Sequence, residues 1–453
     1  MRKKPNVIVF LTDQQRWDTM GIYGNPLDLT PNLDRMAREG THCFNAFTCQ
    51  PVCAPARAVL QTGKYATNTG VFRNGIILGN EHKTLAWYFS EGGYATGYIG
   101  KWHLSDREPA PESDQGGYDF WLAANALEHT SGPYSTVVYD KKGNEVFLPG
   151  YRVDALTDAA IRYVNDRYAN NSEKPFFLFV SYLEPHHQND VDDYPPPNGY
   201  REKYTGRWIP PDLSVQINAA TNHNSAIQHL GGYFGMVKRL DEALGRLTDA
   251  LISMKLLDDT IILFTTDHGC HFKTRNSEYK RSCHESSVRI PMVLSGPGFD
   301  GGGCVKDMVS LVDMPPTLLD AAGLEIPAGM EGRSILDGRE NWPDDVFIQI
   351  SESQVGRAIR TKRWKYGVTA PAAHPINDSA SSVYNEEYLY DLRHDPHEQC
   401  NLTGFASHLE VSKKMRLRLL SHIQKVEGKS AIINPAAVIP SGQRKVLPEE
   451  AEE

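Results

Sequence analysis

The sequence predicts an α/β protein in which helices flank a doubly wound, mostly parallel sheet, followed by a smaller C-terminal α+β domain. Four short segments have the continuous apolar character of strands that are buried on both faces. They comprise residues 6–12, 94–100, 176–183 and 260–266. Helical patterns separate these segments, and polar residues follow each of them. This alternation favours a parallel sheet whose functional residues lie along its carboxyl edge.

The helices between the strands are predicted from hydrophobic spacing and from end signals. Thr30 and Pro31 suit the N-cap and the first position of a helix. Further helices are predicted at residues 84–91, 153–168 and 231–254. Residues 107–150 are rich in Gly, Pro and Asp, and we interpret them mainly as loops. Residues 190–224 are too polar and interrupted for a core element, and long insertions of this kind often shape a binding site.

Beyond about residue 343 the pattern changes to short alternating segments. They occupy residues 346–350, 357–361, 364–368 and 388–392, and a helix is predicted over 406–427. These features predict a small antiparallel sheet with a helix packed against it. We therefore expect one large domain over residues 1–343 and a smaller one over residues 344–453, the latter ending in a loose acidic tail.

Composition limits the function classes. The 453 residues carry a formal charge of -9 at pH 7, which argues against a general nucleic-acid binder. An anionic substrate would need a local cluster of positive charge. No apolar run is long enough to span a membrane, and the run after the basic N-terminus is too short for a signal peptide. The seven cysteines show no framework spacing, so we expect reduced thiols and a cytoplasmic location.

Ionisable residues recur where the predicted strands end, and others stand nearby. The candidates are Asp13, Cys53, Arg57, Lys101, His103, His186, Asp267, His268 and Lys280. Any one of them could be a cap or a turn residue, but their repetition favours a site. Two carboxylates and an imidazole can hold a hard divalent cation such as calcium. The basic residues can surround a tetrahedral anion and move protons, and chemistry on a sulfate or phosphate ester needs both groups.

Cys53 is the residue around which these candidates are organised. It precedes Pro55, Arg57 and an apolar run that predicts the first turns of a helix. A sulfur at a helix N-terminus lies where backbone N–H groups and the helix dipole favour negative charge, so the thiol would be reactive. The alternative is a buried structural cysteine, which is the interpretation that we keep for Cys49 and Cys283.

Several short motifs recur along the chain. Residues 53–57 read Cys-Ala-Pro-Ala-Arg and are followed by Thr-Gly at 62–63. The further motifs are Gly-Lys-Trp-His at 100–103, Pro-His at 185–186, Thr-Asp-His-Gly at 266–269, Lys280 with residues 284–291, and the blocks at 388–392 and 395–402. Together these motifs resemble the type I, formylglycine-dependent sulfatase family of the alkaline phosphatase superfamily, whose hallmark commonly has Ser where this chain has Ala56. The matches run in order from residue 6 to residue 402.

The resemblance implies a nucleophile that is made from Cys53. A maturation enzyme that recognises Pro55 and Arg57 would oxidise Cys53 to formylglycine (3-oxoalanine), and the aldehyde would be hydrated to a geminal diol. One hydroxyl would attack sulfur, the alcohol would leave, and elimination of the bound sulfate would restore the aldehyde.

The resemblance also assigns roles to the remaining candidates. Calcium would be held by Asp13, Gln14, Cys53, Asp267 and His268. Gln14 stands where many relatives have a second Asp, so the site carries one negative charge fewer. Arg57 and Lys101 would hold the formylglycine hydroxyls, and His103 would assist the elimination. His186 and Lys280 would contact the sulfate and the leaving oxygen, one of them as general acid.

The expected substrate is a sulfate ester, on a carbohydrate by the prevalence of such substrates in the family, with a broad arylsulfatase as an alternative. A phosphate- or phosphonate-monoester hydrolase of the same superfamily is a second alternative. A third is a binder of sulfated glycans in which Cys53 is never modified. The expected partners are therefore a sulfated small molecule or glycan and the maturation enzyme, with no nucleic acid and no membrane.

Overall fold

The computed structural model describes residues 4–169, 174–214, 223–337 and 342–451. Part of the predicted insertion, residues 215–222, lies outside these ranges. Two sheets organise the described chain, one of ten strands and one of five. The strands of the large sheet are β1 (Asn6–Thr12), β2 (Thr41–Phe47), β3 (Ala95–Lys101), β4 (Phe120–Ala124), β5 (Ser135–Asp140), β6 (Glu145–Pro149), β7 (Phe176–Ser181), β8 (Thr260–Thr266), β9 (Met292–Ser295) and β10 (Gly303–Ser310).

The large sheet is parallel at its centre, as predicted. Its strand order is β10-β2-β9-β8-β1-β7-β3-β4-β5-β6. The contiguous strands β8, β1, β7, β3 and β4 are all parallel, whereas β9, β5 and β6 pair antiparallel. The central strands are buried because helices cover both faces of the sheet. The carboxyl ends of β1, β3, β7 and β8 therefore meet at one edge.

The helices alternate with these strands along the chain. They are α1 (Pro31–Glu39), α2 (Cys53–Thr62), α3 (Ala66–Thr69), α4 (Leu85–Glu91), α5 (Leu127–Thr130), α6 (Arg152–Ala169), α7 (Tyr200–Tyr204), α8 (His223–Ser253), α9 (Glu285–Val288), α10 (Met314–Ala321) and α11 (Leu409–Glu427). One face of the large sheet packs with α2, α4 and α10, and the other with α1, α6 and α8. None of the helices in the described ranges has the length and apolar character needed to cross a bilayer.

Two predictions about the large sheet need correction. Residues 107–150, interpreted mainly as loops, contain β4, α5, β5 and β6. The strands β5 and β6 lie at the edge of the sheet and leave side chains such as Phe147 exposed, so they lack a continuous apolar run. Residues 190–224 also contribute to a core, because Tyr194 and Leu213 are fully buried against α8.

The C-terminal region forms the predicted small sheet. Its strands are β11 (Asp345–Ile350), β12 (Gly356–Thr361), β13 (Trp364–Thr369), β14 (Val383–Asp391) and β15 (Ile432–Asn434). The first four are antiparallel, and β15 pairs parallel to β14. Helix α11 packs on this sheet through Val411, Met415 and Leu419. Near the end of the chain, Trp364 Nε1 donates a hydrogen bond to Glu450 O at 3.1 Å, and Ala451 is buried.

Candidate active site

The central strands bring four of the predicted residues to the carboxyl edge of the large sheet. Asp13 follows β1, Lys101 ends β3, and Asp267 and His268 follow β8. The last residues of β1 and β8 are register partners, so the two aspartates that follow them lie side by side. The parallel topology thus gathers positions that are far apart in the sequence.

Helix α2 supplies Cys53 and Arg57 from the same edge. Cys53 is the first residue of α2, and Gly63 ends the helix in the left-handed region with φ 69°. Cys53 and Arg57 lie four residues apart and therefore share a face of the helix. The positive end of the helix dipole lies beside residue 53 and favours negative charge there.

The sulfur of Cys53 lies at the centre of the cluster. Lys280 Nζ lies 2.8 Å from it, His268 Nε2 3.3 Å and Asp13 Oδ1 3.6 Å. Burial raises the pKa of Cys53, but Lys101, Lys280 and His268 outweigh burial and bring the pKa well below its usual range. The surroundings of residue 53 therefore stabilise an anionic group.

Asp13 is held by two cations. Arg57 Nη2 donates to Asp13 Oδ2 at 2.9 Å, and Lys101 Nζ donates to the same oxygen at 2.8 Å. Burial and Cys53 raise the pKa of Asp13, yet the surrounding cations bring it below its usual range. Burial and the charge of Asp13 raise the pKa of Asp267. A cation bound between the two carboxylates would relieve their repulsion.

Four side chains have the arrangement of a metal site. One ligand atom from each of Asp13, Cys53, Asp267 and His268 lies within 4.8 Å of the others, and all four residues are buried. His268 Nδ1 lies 3.0 Å from Gly269 O, which directs Nε2 into the cluster. Carboxylate oxygens suit a hard divalent cation, and imidazole nitrogen is compatible with one. The donor set therefore fits a single divalent metal ion.

Gln14 lies next to this cluster in a left-handed backbone conformation, with φ 68°. Its backbone N–H donates to Asp267 Oδ1 at 3.1 Å, and its Nε2 donates to Cys270 Sγ at 3.3 Å. Its Oε1 accepts a hydrogen bond from the His187 backbone N–H at 3.4 Å. The amide oxygen has a second lone pair, so it can still serve as a metal ligand.

His186, Lys280 and His103 are the groups that can move protons. Lys280 Nζ lies 3.2 Å from His186 Nε2. Burial and Lys280 lower the pKa of His186, which favours the neutral imidazole. His103 has φ 62° and lines the same cavity as Cys53. All of the predicted site residues are therefore brought together.

A cavity of about 250 Å³ opens above residue 53. Its wall includes residues that we did not predict from the sequence. They are Asn74, Glu128, His129, His187, Asn189, Glu278, Tyr279 and Arg281. His187 stacks on Tyr279 with ring centroids 4.4 Å apart, so it contributes to the wall. Several of these residues neighbour His186 or Lys280 in the sequence, and that proximity was the available signal; Asn74 and Glu128 had none.

Cys49 and Cys283 have the structural character that we expected of them. Both are buried, and neither lines the cavity. Burial raises the pKa of each to about 12, so both thiols are held protonated. Residue 53 therefore differs from these two buried cysteines in its electrostatic surroundings.

Comparisons with known proteins identify the family of the chain. Residues 5–324 match the sequence profile of the family described as Sulfatase, and residues 278–425 match the one described as N-sulphoglucosamine sulphohydrolase, C-terminal. The Ulvan-active sulfatase of Formosa agariphila is 30% identical over 408 residues, which span 85% of this chain and 77% of that protein. The N-acetylglucosamine-6-O-sulfatase of Bacteroides thetaiotaomicron is 25% identical over 98% of this chain and 90% of its own length.

A solved structure supports the fold over nearly the whole chain. The crystal structure of a Bacteroides fragilis protein assigned to the sulfatases superposes with a TM-score of 0.81 and 25% identity, covering 94% of this chain and 97% of that one. The sequence profile, the relatives and the fold agree with one another. The chain belongs to the sulfatase family of the alkaline phosphatase superfamily and is a sulfuric ester hydrolase.

Proposed function

We propose that the protein hydrolyses a sulfate ester of a carbohydrate in the cavity around residue 53. The observation that carries this proposal is the gathering of Arg57, Lys101 and Lys280 about one buried residue that also belongs to a metal-type cluster. Positive side chains and a metal cation at one point suit the charge that develops on a sulfate group and its leaving oxygen.

We propose that Cys53 is converted to formylglycine by a maturation enzyme, as the family resemblance implies. Hydration of the aldehyde supplies a hydroxyl nucleophile at residue 53. The proximity of Lys280 and of the α2 N-terminus supports this role, because both stabilise negative charge at that point. Cys53, Pro55 and Arg57 are all buried in the folded chain, so the maturation enzyme would have to meet this segment before it folds.

We propose that Asp13, Gln14, Asp267 and His268, together with residue 53, hold one Ca²⁺ ion. Two carboxylates and an amide oxygen supply hard ligands, and the imidazole completes the set. A bound divalent cation polarises ester oxygens and neutralises charge on them. The raised pKa of Asp267 supports this assignment, because the carboxylate pair is strained electrostatically without a cation.

The other side chains of the site bind the reacting oxygens and transfer protons. Arg57 and Lys101 hold the oxygen substituents of residue 53, since both are fixed beside it through Asp13. His103 accepts a proton from residue 53 when the sulfate is released. His186 and Lys280 bind the sulfate and the leaving oxygen, and one member of this pair protonates the alcohol.

Two observations support a carbohydrate substrate. The relatives of the chain include an ulvan-active sulfatase and an N-acetylglucosamine-6-O-sulfatase. The cavity wall is rich in amide, imidazole and carboxylate groups that can hydrogen-bond to sugar hydroxyls, and Tyr279 adds an aromatic surface.

The decisive experiment compares turnover of an aryl sulfate and an aryl phosphate that share one leaving group. A sulfatase should show the higher kcat/KM for the sulfate. A clear preference for the phosphate would contradict the proposed function and favour a phosphate-ester hydrolase. A panel of O-sulfated monosaccharides then tests the carbohydrate assignment. Turnover of aryl sulfate with none of the sugars would favour a broad arylsulfatase.

The modification is tested by the mass of the proteolytic peptide that carries residue 53 in protein from the native host. Conversion of the CH2SH side chain of cysteine to the CHO side chain of formylglycine lowers the mass of this peptide. The aldehyde also reacts with a hydrazide probe. Unmodified cysteine in active protein would contradict the proposed nucleophile. If Cys53→Ala still binds sulfated glycans and the parent protein shows no hydrolysis, the protein is a binder of sulfated glycans and not an enzyme.

A further inference from the structure

Glu128 is a buried carboxylate that lines the cavity and has no part in the proposed reaction. It lies on α5, directly after β4, and its side chain is 6% exposed. Lys101 Nζ donates to its Oε1 at 3.0 Å. Among the described residues, no donor reaches its other oxygen, Oε2, although that atom is buried. One carboxylate oxygen of Glu128 is therefore hydrogen-bonded, and the other has no donor among the described residues.

An unpaired carboxylate oxygen in such a place is costly, because burial removes water without providing a replacement donor. Burial alone would raise the pKa of Glu128, but Lys101, His103 and His186 bring it to about 2. The group is ionised at neutral pH and accepts hydrogen bonds only. Glu128 lines the same cavity as Cys53, His103 and His186, so a ligand in the cavity lies beside both the reacting residue and this carboxylate.

We propose that Oε2 of Glu128 accepts a hydrogen bond from a hydroxyl group of the substrate that neighbours the sulfate-bearing carbon. The inference rests on the proposed carbohydrate sulfatase function and specifies its substrate: a sugar sulfate with a free hydroxyl at that point. Lys101 connects the two interactions, because it lies between Glu128 and the carboxylate of Asp13 beside residue 53. A second sulfate in place of the hydroxyl would be repelled by the carboxylate.

A purely structural role for Glu128 makes a different prediction. If the carboxylate only orients Lys101, its loss should slow every sulfate ester by the same factor, including esters without hydroxyl groups. If Oε2 binds a substrate hydroxyl, its loss should slow hydroxylated substrates further. Turnover of 4-nitrophenyl sulfate by Glu128→Gln therefore measures the effect through Lys101, and any additional loss on sugar sulfates measures the hydroxyl contact.

The test uses the O-sulfated monosaccharide that the wild-type enzyme turns over best and analogues in which each neighbouring hydroxyl is replaced by hydrogen. For one hydroxyl, replacement should lower the wild-type kcat/KM by about 10- to 100-fold, as expected for a hydrogen bond to a charged group. In Glu128→Gln the same replacement should cost less than about threefold. Glu112→Gln, which removes an exposed carboxylate that does not line the cavity, should retain the wild-type ratio.

A second arm uses only the wild-type enzyme, so it holds even if the variant fails to fold. The analogue that carries a second sulfate at the identified hydroxyl should be turned over at least about 100-fold more slowly than the monosulfate. Equal effects of hydroxyl removal in wild type and Glu128→Gln, or ready turnover of the disulfate, would overturn the inference while leaving sulfatase activity intact. Failure of the wild type on every sugar sulfate would overturn the carbohydrate assignment and this inference together.

Discussion

The cations about residue 53 differ in how firmly they are held. Arg57 donates to Asp13 and to Ser181 Oγ, and Lys101 is fixed between Asp13 and Glu128. Lys280 has a different environment: its described contacts in the site are with Cys53 Sγ and with His186 Nε2. A lysine without a carboxylate partner can change its contacts as charge develops on a leaving oxygen, which suits Lys280 to assist the departing alcohol.

Replacement of Lys280 by Ala should therefore affect substrates according to their leaving groups. We expect kcat/KM to fall by about 10²- to 10⁴-fold for a sugar sulfate, whose alcohol needs a proton, and by less for 4-nitrophenyl sulfate, whose phenolate leaves readily. Steady-state kinetics on both substrates provides the measurement. Lys273→Ala removes a cation that lies 4.5 Å from the Tyr279 ring and serves as control. Equal losses on both substrates would show that Lys280 binds sulfate and does not assist the leaving group.

Gln14 allows a separate test of the metal site. Gln14→Ala removes an amide oxygen from the proposed ligand set, so we expect Ca²⁺ affinity to fall by at least about tenfold. The measurement is a titration of chelator-treated protein with Ca²⁺, monitored by calorimetry and by the recovery of activity. Gln15→Ala is the matched control, because its amide donates to Thr19 Oγ1 at 3.1 Å. Unchanged affinity in Gln14→Ala would exclude Gln14 from the ligand set.

The sequence predicted Asp13, Asp267 and His268 because each follows an apolar strand. It could not predict the backbone conformations that orient Gln14 and His103, both of which have positive φ. Nor could it predict Glu128, which follows the short strand β4 in a region that we interpreted as loops. Pattern reasoning finds residues at the ends of strong strands and misses those whose position depends on weak ones.

At the scale of elements, the connection between β11 and β12 in the smaller sheet contacts residues of the cavity wall. Glu352 in this connection has φ 66° and accepts a hydrogen bond from the Asn74 backbone N–H at 2.6 Å. Its other oxygen lies 2.5 Å from Arg281 Nη2. Asn74 Oδ1 in turn accepts from the Ala54 N–H at the start of α2, at 3.0 Å. Glu352 therefore contacts both Arg281, which follows Lys280, and Asn74, which binds the N-terminus of α2. These contacts hold the two parts of the site in position relative to each other.

We expect Glu352→Ala to lower kcat more than it changes KM, because the reacting groups would lose their alignment while the cavity wall stays in place. Glu352→Gln keeps an acceptor for Asn74 and should recover part of kcat. Kinetics of both variants on one aryl sulfate provides the measurement, with thermal unfolding as a check on folding. A rise in KM with unchanged kcat would show that Glu352 supports substrate binding and not alignment.

The elements themselves were predicted unevenly. The strands β1, β3, β7 and β8 are continuous apolar runs, because both of their faces are covered, and all four were found. The strands β5 and β6 have one exposed face and mixed composition, so they were missed. Helix α8 begins earlier than predicted, and its buried residues Ala226 and Leu230 extend the apolar face towards the N-terminus.

On the scale of the whole molecule, a buried network of charges joins the two sheets. Glu285 on α9 belongs to the larger part, whereas Arg360 on β12, Lys365 on β13 and Glu398 belong to the smaller part. Lys365 Nζ lies 2.7 Å from Glu285 Oε1 and 2.8 Å from Glu398 Oε1. Arg360 Nε lies 3.2 Å from Glu285 Oε1. The two-part organisation could be predicted from the change of pattern, but this network could not, because ion pairs between distant segments follow no local period.

Lys365→Met should destabilise the protein by about 3–5 kcal/mol, because it removes the cation that pairs with both buried carboxylates. The double variant with Glu398→Gln should recover part of this loss, since it also removes one of the uncompensated charges. Urea unfolding at pH 7 provides the free energies. Lys362→Met removes an exposed lysine three residues away and should cost less than about 0.5 kcal/mol.

The pH dependence of this variant follows from Glu398. Burial raises the pKa of Glu398 despite Lys365, so its contribution to stability is complete below the ordinary pKa of 4.5 and is lost as the pH rises through the raised value. Removal of Lys365 raises that pKa further and widens the pH range over which stability is lost. The difference in unfolding free energy between wild type and Lys365→Met should therefore shrink when unfolding is repeated at pH 5, because Glu398 is then more protonated in the variant. A difference that stays constant or grows on acidification would contradict an unpaired buried carboxylate as its cause.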